Sequence, residues 1–229
     1  MLLAATGASG GGINLAWNDC GLAGAQNMAF ACNTNEGPPF QLFASFDPNA
    51  DMTDCVSNEW VIEVESAAAT LPAWWAFKGA GRCRDASMTQ NTQFVTGPFT
   101  CADPWAGAIG IQGFSYNIGF SGLNTARIVG VQSLDAAAPT TVLAGTEYYS
   151  FALVINRAKT VGAGACLNCL DPVCLVLNQI RVLGLTGNQD LPNPRDRNYV
   201  TWHGGAVPFD CFGVPTLHRT WGEVKSLYR

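Results

Sequence analysis

Residues 147–184 read EYYSFALVINRAKTVGAGACLNCLDPVCLVLNQIRVLG. Two apolar runs flank a glycine- and cysteine-rich middle. In the first run, Tyr149, Phe151, Leu153 and Ile155 fall on one side, and Tyr148, Ser150, Ala152, Val154 and Asn156 on the other. In the second, Val176, Ile180 and Val182 alternate with Gln179 and Arg181, while Leu175 and Leu177 blur the start. Alternation with period two, carried by β-branched and aromatic residues, is the pattern of a half-buried strand. The stretch therefore predicts a hairpin of two long strands, with Tyr149, Phe151, Leu153, Ile155, Ile180 and Val182 inward and Gln179 and Arg181 outward. Gly162, Gly164, Cys166, Cys169, Asp171, Pro172 and Cys174 lie in the connecting loop, which disulfides can staple.

The same alternation recurs on both sides of this stretch. Residues 12–18 align Ile13, Leu15 and Trp17, and residues 40–46 align Phe40, Leu42, Ala44 and Phe46. Residues 60–65 turn Trp60, Ile62 and Val64 inward and Glu63 and Glu65 outward. Residues 109–120 align Phe114, Tyr116, Ile118 and Phe120, and shorter runs cover 127–132 and 199–203. Residues 47–58 and 188–198 read as polar loops. About nine strands, with helix confined to a turn or two in 220–229, predict an all-β fold. The architecture expected is one antiparallel, jelly-roll-like β-sandwich over 1–229, two sheets burying their alternating faces against each other.

Composition narrows the function classes. Charged residues make up 13% of the 229, against roughly 25% in a typical soluble domain. Lys and Arg total 12 and the net charge is −5, without the basic stripe that nucleic-acid binding needs. No apolar run approaches the roughly 20 residues of a membrane helix. Met1–Ala5 is too short for a signal peptide and reads as the stump of one, or as a start placed before a mature chain. Nine cysteines point to an oxidising, extracytoplasmic compartment. Their odd number leaves one thiol free or paired between chains.

Cys20 and Cys32 bracket a short glycine-containing loop, and Cys83 and Cys101 a polar segment, so each pair is expected to be bridged. Cys166, Cys169, Cys174 and Cys211 give C-x2-C-x4-C plus a distant fourth cysteine, read as two disulfides, with a tetrahedral zinc site as the alternative. Asp47, Asp51 and Asp54 share one loop but lack the glycine and closing glutamate of a calcium loop; a solvated acidic loop is expected.

Side chains two apart on any exposed strand lie about 7 Å from each other, so Glu63 and Glu65 read as a polar outer face rather than a glycosidase pair. Only two histidines exist. His203 reads as a surface residue at a strand end, and no G-x-S-x-G supplies a nucleophile elbow. No P-loop or dinucleotide fingerprint occurs, so no cofactor is expected. Trp17 and Trp60 fall on core faces. Trp74 and Trp75 are adjacent and must point to opposite sides of a strand, which would expose one. With Trp202 and His203 they form the candidate ligand-binding set, because an exposed indole offers a flat apolar face to a sugar ring or a partner.

Three further stretches carry a resemblance: FACNTN at 30–35, LPAWW at 71–75 and TWGEVKSLYR at 220–229. They resemble uncharacterised secreted β-sandwich proteins of environmental bacteria, which implies secretion. The strand pattern is more loosely similar to cohesin-like and carbohydrate-binding jelly rolls. The function expected is a secreted, non-catalytic binding or structural module that recognises glycans or assembles with copies of itself at the cell surface. The alternative is an extracellular glycosidase or esterase on the same scaffold, using Glu63 or Glu147 with His203.

Overall fold

The computed structural model describes residues 11–204, and within them the chain is an antiparallel β-sandwich. Strands β1 (Gly12–Trp17), β3 (Phe40–Asp47), β9 (Tyr148–Ile155) and β5 (Met88–Asn91) form a four-stranded sheet in that order. The second sheet runs β2 (Asn27–Met28), β12 (Tyr199–Trp202), β10 (Val173–Gly184), β4 (Met52–Ser66), β7 (Thr125–Ser133) and β6 (Ile111–Ile118). Two short strands, β8 (Thr140–Val142) and β11 (Asn188–Leu191), complete it by pairing with β4 and β10. The contact of β2 with β12 is parallel. A single 3-10 turn, Ala73–Trp75, is the helical piece among the described residues.

The inner faces meet in one core. Ile13, Leu15 and Trp17 of β1 and Leu42, Ala44 and Phe46 of β3 pack against Trp60, Ile62 and Val64 of β4 and Ile128 of β7. Trp60 stacks on Phe151 of β9 with ring centroids 3.8 Å apart, tying the sheets together. Its indole fits only because Gly130 lies opposite in β7, where a Cβ would collide with the ring.

The expected hairpin over 147–184 does not form. Its two strands exist, but β9 belongs to the four-stranded sheet and β10 to the eight-stranded one. The connection over 156–172 crosses from one sheet to the other, because both strands are rich enough in apolar residues to face the core from opposite sides. Two bulges also shift the expected faces. Ala44 pairs Phe151 while Ser45 pairs Tyr149, so Ser150 is the extra residue and the alternation slips there. Tyr148 therefore joins Phe151, Leu153 and Ile155 in the main core, whereas Tyr149 joins a second cluster on the outer face. In β10 the register shifts between Leu177 and Gln179. Val173, Leu175 and Leu177 face the core before the shift, Ile180 and Val182 after it, and Val176 points outward with Cys174. A bulge inserts one residue and reverses every following side chain, which is why Leu175 and Leu177 blurred the pattern.

The cysteines pair over longer spans than expected. Cys20 bonds Cys101, Cys32 bonds Cys169 and Cys83 bonds Cys166. The local pairings Cys20–Cys32 and Cys83–Cys101 are thus both wrong: the sandwich brings remote loops to Cα separations of 6.3, 6.0 and 5.8 Å. Cys166 and Cys169, each spent in a disulfide, cannot hold zinc. Cys174 is also disulfide-bonded, and Cys211 lies outside the described residues, as does the 220–229 stretch. Among the described residues the free thiol is Cys55, fully buried in β4 and pushed up to about 11 by that burial. It cannot link chains. The acidic loop is shorter than expected, since β4 already begins at Met52.

Candidate functional site

Trp202 ends β12 inside an aromatic cluster. Trp74 stacks on it at 4.7 Å, and Phe30, Phe40 and Trp75 lie at 4.6, 4.9 and 5.5 Å. Trp74, Trp75 and Trp202 are all fully buried. The turn Ala73–Trp75 explains how two adjacent tryptophans share one interior: on a 3-10 turn, unlike a strand, neighbours need not point to opposite sides. Trp202 Nε1 donates to Cys169 O at 2.6 Å and Trp74 Nε1 to Thr160 Oγ1 at 3.2 Å. Arg84, also buried, lies 3.7 Å over the Trp74 ring, and its burial lowers the guanidinium pKa to about 10. No face of this tryptophan cluster is left for a sugar. His203 is half-buried beside it, its Nε2 3.9 Å from Cys32 Sγ, and burial lowers its pKa.

The carboxylates of the hydrolase alternative are held apart. Glu63 is not solvated: it is buried on the outer face of β4 in an ion pair with Arg127, whose guanidinium lies 3.4 Å over the Phe120 ring. Glu147 sits on the outer face of the other sheet, so the whole core separates the two. His203 shares no hydrogen bond or ion pair with either among the described residues.

Glu147 is the centre of a polar network. Glu147 Oε1 accepts from Asn14 Nδ2 at 2.8 Å and from Ser45 Oγ at 2.6 Å, and Oε2 accepts from Arg195 Nη1 at 3.1 Å. Arg195 also approaches Asp47 Oδ2 at 3.7 Å. Asn14 Oδ1 accepts the backbone N–H groups of Asp196 and Arg197, each at 3.0 Å. Gly21 closes over the carboxylate, and a Cβ there would stand 2.7 Å from both oxygens. Ser45 is fully buried, so no acyl carbon can reach its hydroxyl. The network fastens the 193–197 loop to β1 and β3; it is a latch between sheets. Asn14 and Ser45 escaped sequence reading because a polar residue between apolar neighbours on a strand looks solvated.

An open groove of about 340 Å³ lies on the outer face of the eight-stranded sheet. Glu59, Gly113, Phe114, Ser115, Val129, Gly130 and Val131 line it. Gly113, with nothing within 4 Å of where its Cβ would stand, leaves the outer face of β6 open, whereas Gly130 answers to Trp60 on the inner face. Glu59 is the groove's sole ionisable side chain; neither a second carboxylate nor a histidine faces it. Exposed apolar side chains lie elsewhere, in loops and at strand ends, including Leu123, Leu167, Leu170, Ile109 and Ile111. No protein-family model, curated protein or solved structure matches the chain.

Proposed function

We propose that the chain is a secreted, non-catalytic structural module that associates through its surface with copies of itself. The observation that carries this is the separation of every candidate catalytic group: Glu63 in its ion pair, Glu147 in its latch, His203 beside a disulfide, and one carboxylate in the groove. General acid–base or nucleophilic chemistry needs two such groups within reach of one substrate. Remote loops joined by three disulfides favour an oxidising, extracytoplasmic location. Among the described residues, no helix is long and apolar enough to cross a membrane. Self-association is favoured over glycan recognition because the described tryptophans are consumed in the core, while large aliphatic side chains remain exposed.

The test is a panel of ester and glycoside substrates, together with a glycan array, applied to the oxidised protein. Neither turnover nor glycan binding is expected. Turnover that disappears in Glu59→Gln or Glu147→Gln would establish an enzyme instead, and saturable binding of a glycan would establish a lectin.

A further inference from the structure

The first half of β10 has a dry outer face. Cys174 is fully buried there, Val176 is 4% exposed, and Tyr199 of β12 packs beside them. Register makes the patch continuous across four strands. Cys174 lies opposite Thr201 of β12, Val176 lies between Tyr199 of β12 and Glu63 of β4, and Glu63 lies opposite Arg127 of β7. Thr201, Glu63 and Arg127 are buried as well. Phe120 covers the Arg127 guanidinium. The rest of the patch needs another cover, because side chains standing side by side on one sheet face cannot bury each other's tips. Farther along the same sheet Gln179, Arg181, Val129 and Val131 are only half-buried, so the cover is local.

Cys174 identifies it. This cysteine is disulfide-bonded, and its partner follows from a count. The chain has nine cysteines. Six pair among themselves, as Cys20–Cys101, Cys32–Cys169 and Cys83–Cys166, and Cys55 is free. Cys211 is the one that remains. The end of β12 leads toward the same face. Thr201 stands beside Cys174, and its Oγ1 donates to Gly204 O at 2.6 Å, so the chain leaving Trp202 turns back over the outer side. From Gly204, seven residues reach Cys211, a span of up to about 24 Å. The strand beside Thr201 is only about 5 Å away. Phe209, Phe212 and Val214 flank Cys211 and match the apolar surface of Val176 and Tyr199.

We infer that Cys211 bonds Cys174 of its own chain, and that the 205–214 stretch is the cover over the outer face of β12, β10 and β4. Forming the bond joins the two sulfurs and passes two protons and two electrons to a disulfide-bearing oxidant, as the three other bonds also require. The cover keeps water from the Glu63–Arg127 ion pair. It also closes this patch to partners, so association between copies uses another surface.

Mass mapping of the unreduced full-length chain, unfolded with its free thiols blocked, tests the bond. One blocked thiol per chain, Cys55, and a Cys174–Cys211 linkage within a covalent monomer are expected. Free thiols at Cys174 and Cys211, a bond from Cys174 to any other cysteine, or chains joined through Cys174 of one copy and Cys211 of another would overturn the inference. Hydroxyl-radical labelling tests the cover. In Cys211→Ser, labelling of Val176 and Tyr199 should rise roughly threefold or more, as at a locally opened segment, while Val129 and Val131 on the bare part of the sheet keep the level of the unaltered chain. Should the serine variant unfold, seen as equal rises at all four residues, Phe212→Asp keeps the bond and should raise labelling at Val176 and Tyr199 alone. Labelling that stays unchanged in both variants, or rises equally at all four residues in both, would overturn the cover. The substrate panel is independent of every one of these outcomes, so loss of the cover leaves the non-catalytic assignment standing.

Discussion

The outer faces of the two sheets differ where β7 and the second half of β10 meet water, although Glu63, Arg127, Cys174 and Val176 of the eight-stranded sheet are buried there too. On the eight-stranded sheet, burial along β7 largely alternates, with Ala126, Ile128, Gly130 and Gln132 inside and Thr125, Val129, Val131 and Ser133 half-exposed. On the four-stranded sheet, every residue of β1 is buried, as are all but one of β3 and of β9. The difference lies in what covers them. The 18–24 and 93–102 segments fold back over β3 and β9, stapled to each other by Cys20–Cys101. Beneath them Phe94 stacks on Tyr149 at 4.5 Å, with Phe43 at 5.8 Å from the tyrosine. Tyr149 hydroxyl donates to Asp19 Oδ1 at 2.8 Å; burial and then that carboxylate raise its pKa to about 12. A sheet buried on both faces loses the clean inside–outside alternation of a half-wet one. Such a sheet must be stabilised from two sides.

The largest effect should come from removing either side of that packing. Phe151 faces the main core and Phe94 the outer cluster, at 0 and 2% exposure. Each truncation to alanine should cost about 3–5 kcal/mol, as buried phenylalanines do. Denaturant unfolding with the disulfides kept oxidised makes the comparison. A loss below about 1 kcal/mol for Phe94→Ala would mean that the cover is only a loosely laid loop.

Removing the staple should cost somewhat less. Cys20 and Cys101 are 81 residues apart in sequence, and a crosslink over a long loop restricts the unfolded chain. Replacing both with alanine should destabilise the fold by about 2–4 kcal/mol. Amide hydrogen exchange should then quicken in 93–102 before it does in β4 or β7. Uniform quickening would show that the cover and the sandwich unfold as one unit, removing the distinction between them.

This contrast also explains which parts were legible. Strands β1, β3, β4, β6 and β7 announce themselves by period-two runs, and Trp17 and Trp60 lie in the core as their spacing implies. Position within a sheet is less local. Nothing in 147–184 says that its two strands face each other across the core, because a strand rich in apolar residues fits either sheet. Nor do the single insertions at Ser150 and Asn178 carry a local mark, yet each reverses the faces that follow. Disulfide partners 81, 137 and 83 residues apart are set by the same long-range arrangement, so bracketing a nearby loop was the wrong guide. The tryptophans were misplaced because a 3-10 turn replaced the strand assumed for Trp74 and Trp75. The latch around Glu147 draws on β1, β3, the start of β9 and the 193–197 loop, a constellation that only the fold assembles.

The smallest effect belongs to the bare face. Arg181 lies on the outer side of β10, opposite Glu59 of β4, and its Nε is 3.2 Å from Asp190 Oδ1. Both side chains meet water, at 28 and 49% exposure. An ion pair in that setting gains little Coulomb energy and must hold two flexible side chains in one geometry, so its contribution is about 0.2–1 kcal/mol. Arg181→Ala should therefore change stability by about 0.5 kcal/mol, and adding salt should shrink even that difference, because exposed charges are screened. Val129→Ala, on the same face, should fall in the same range, since it removes only half-buried methyl groups. The pair of measurements sets the bare face directly against Phe94→Ala on the covered one. Losses above about 2 kcal/mol at Arg181 or Val129 would show that this face, too, lies under a cover, and the difference between the sheets would vanish.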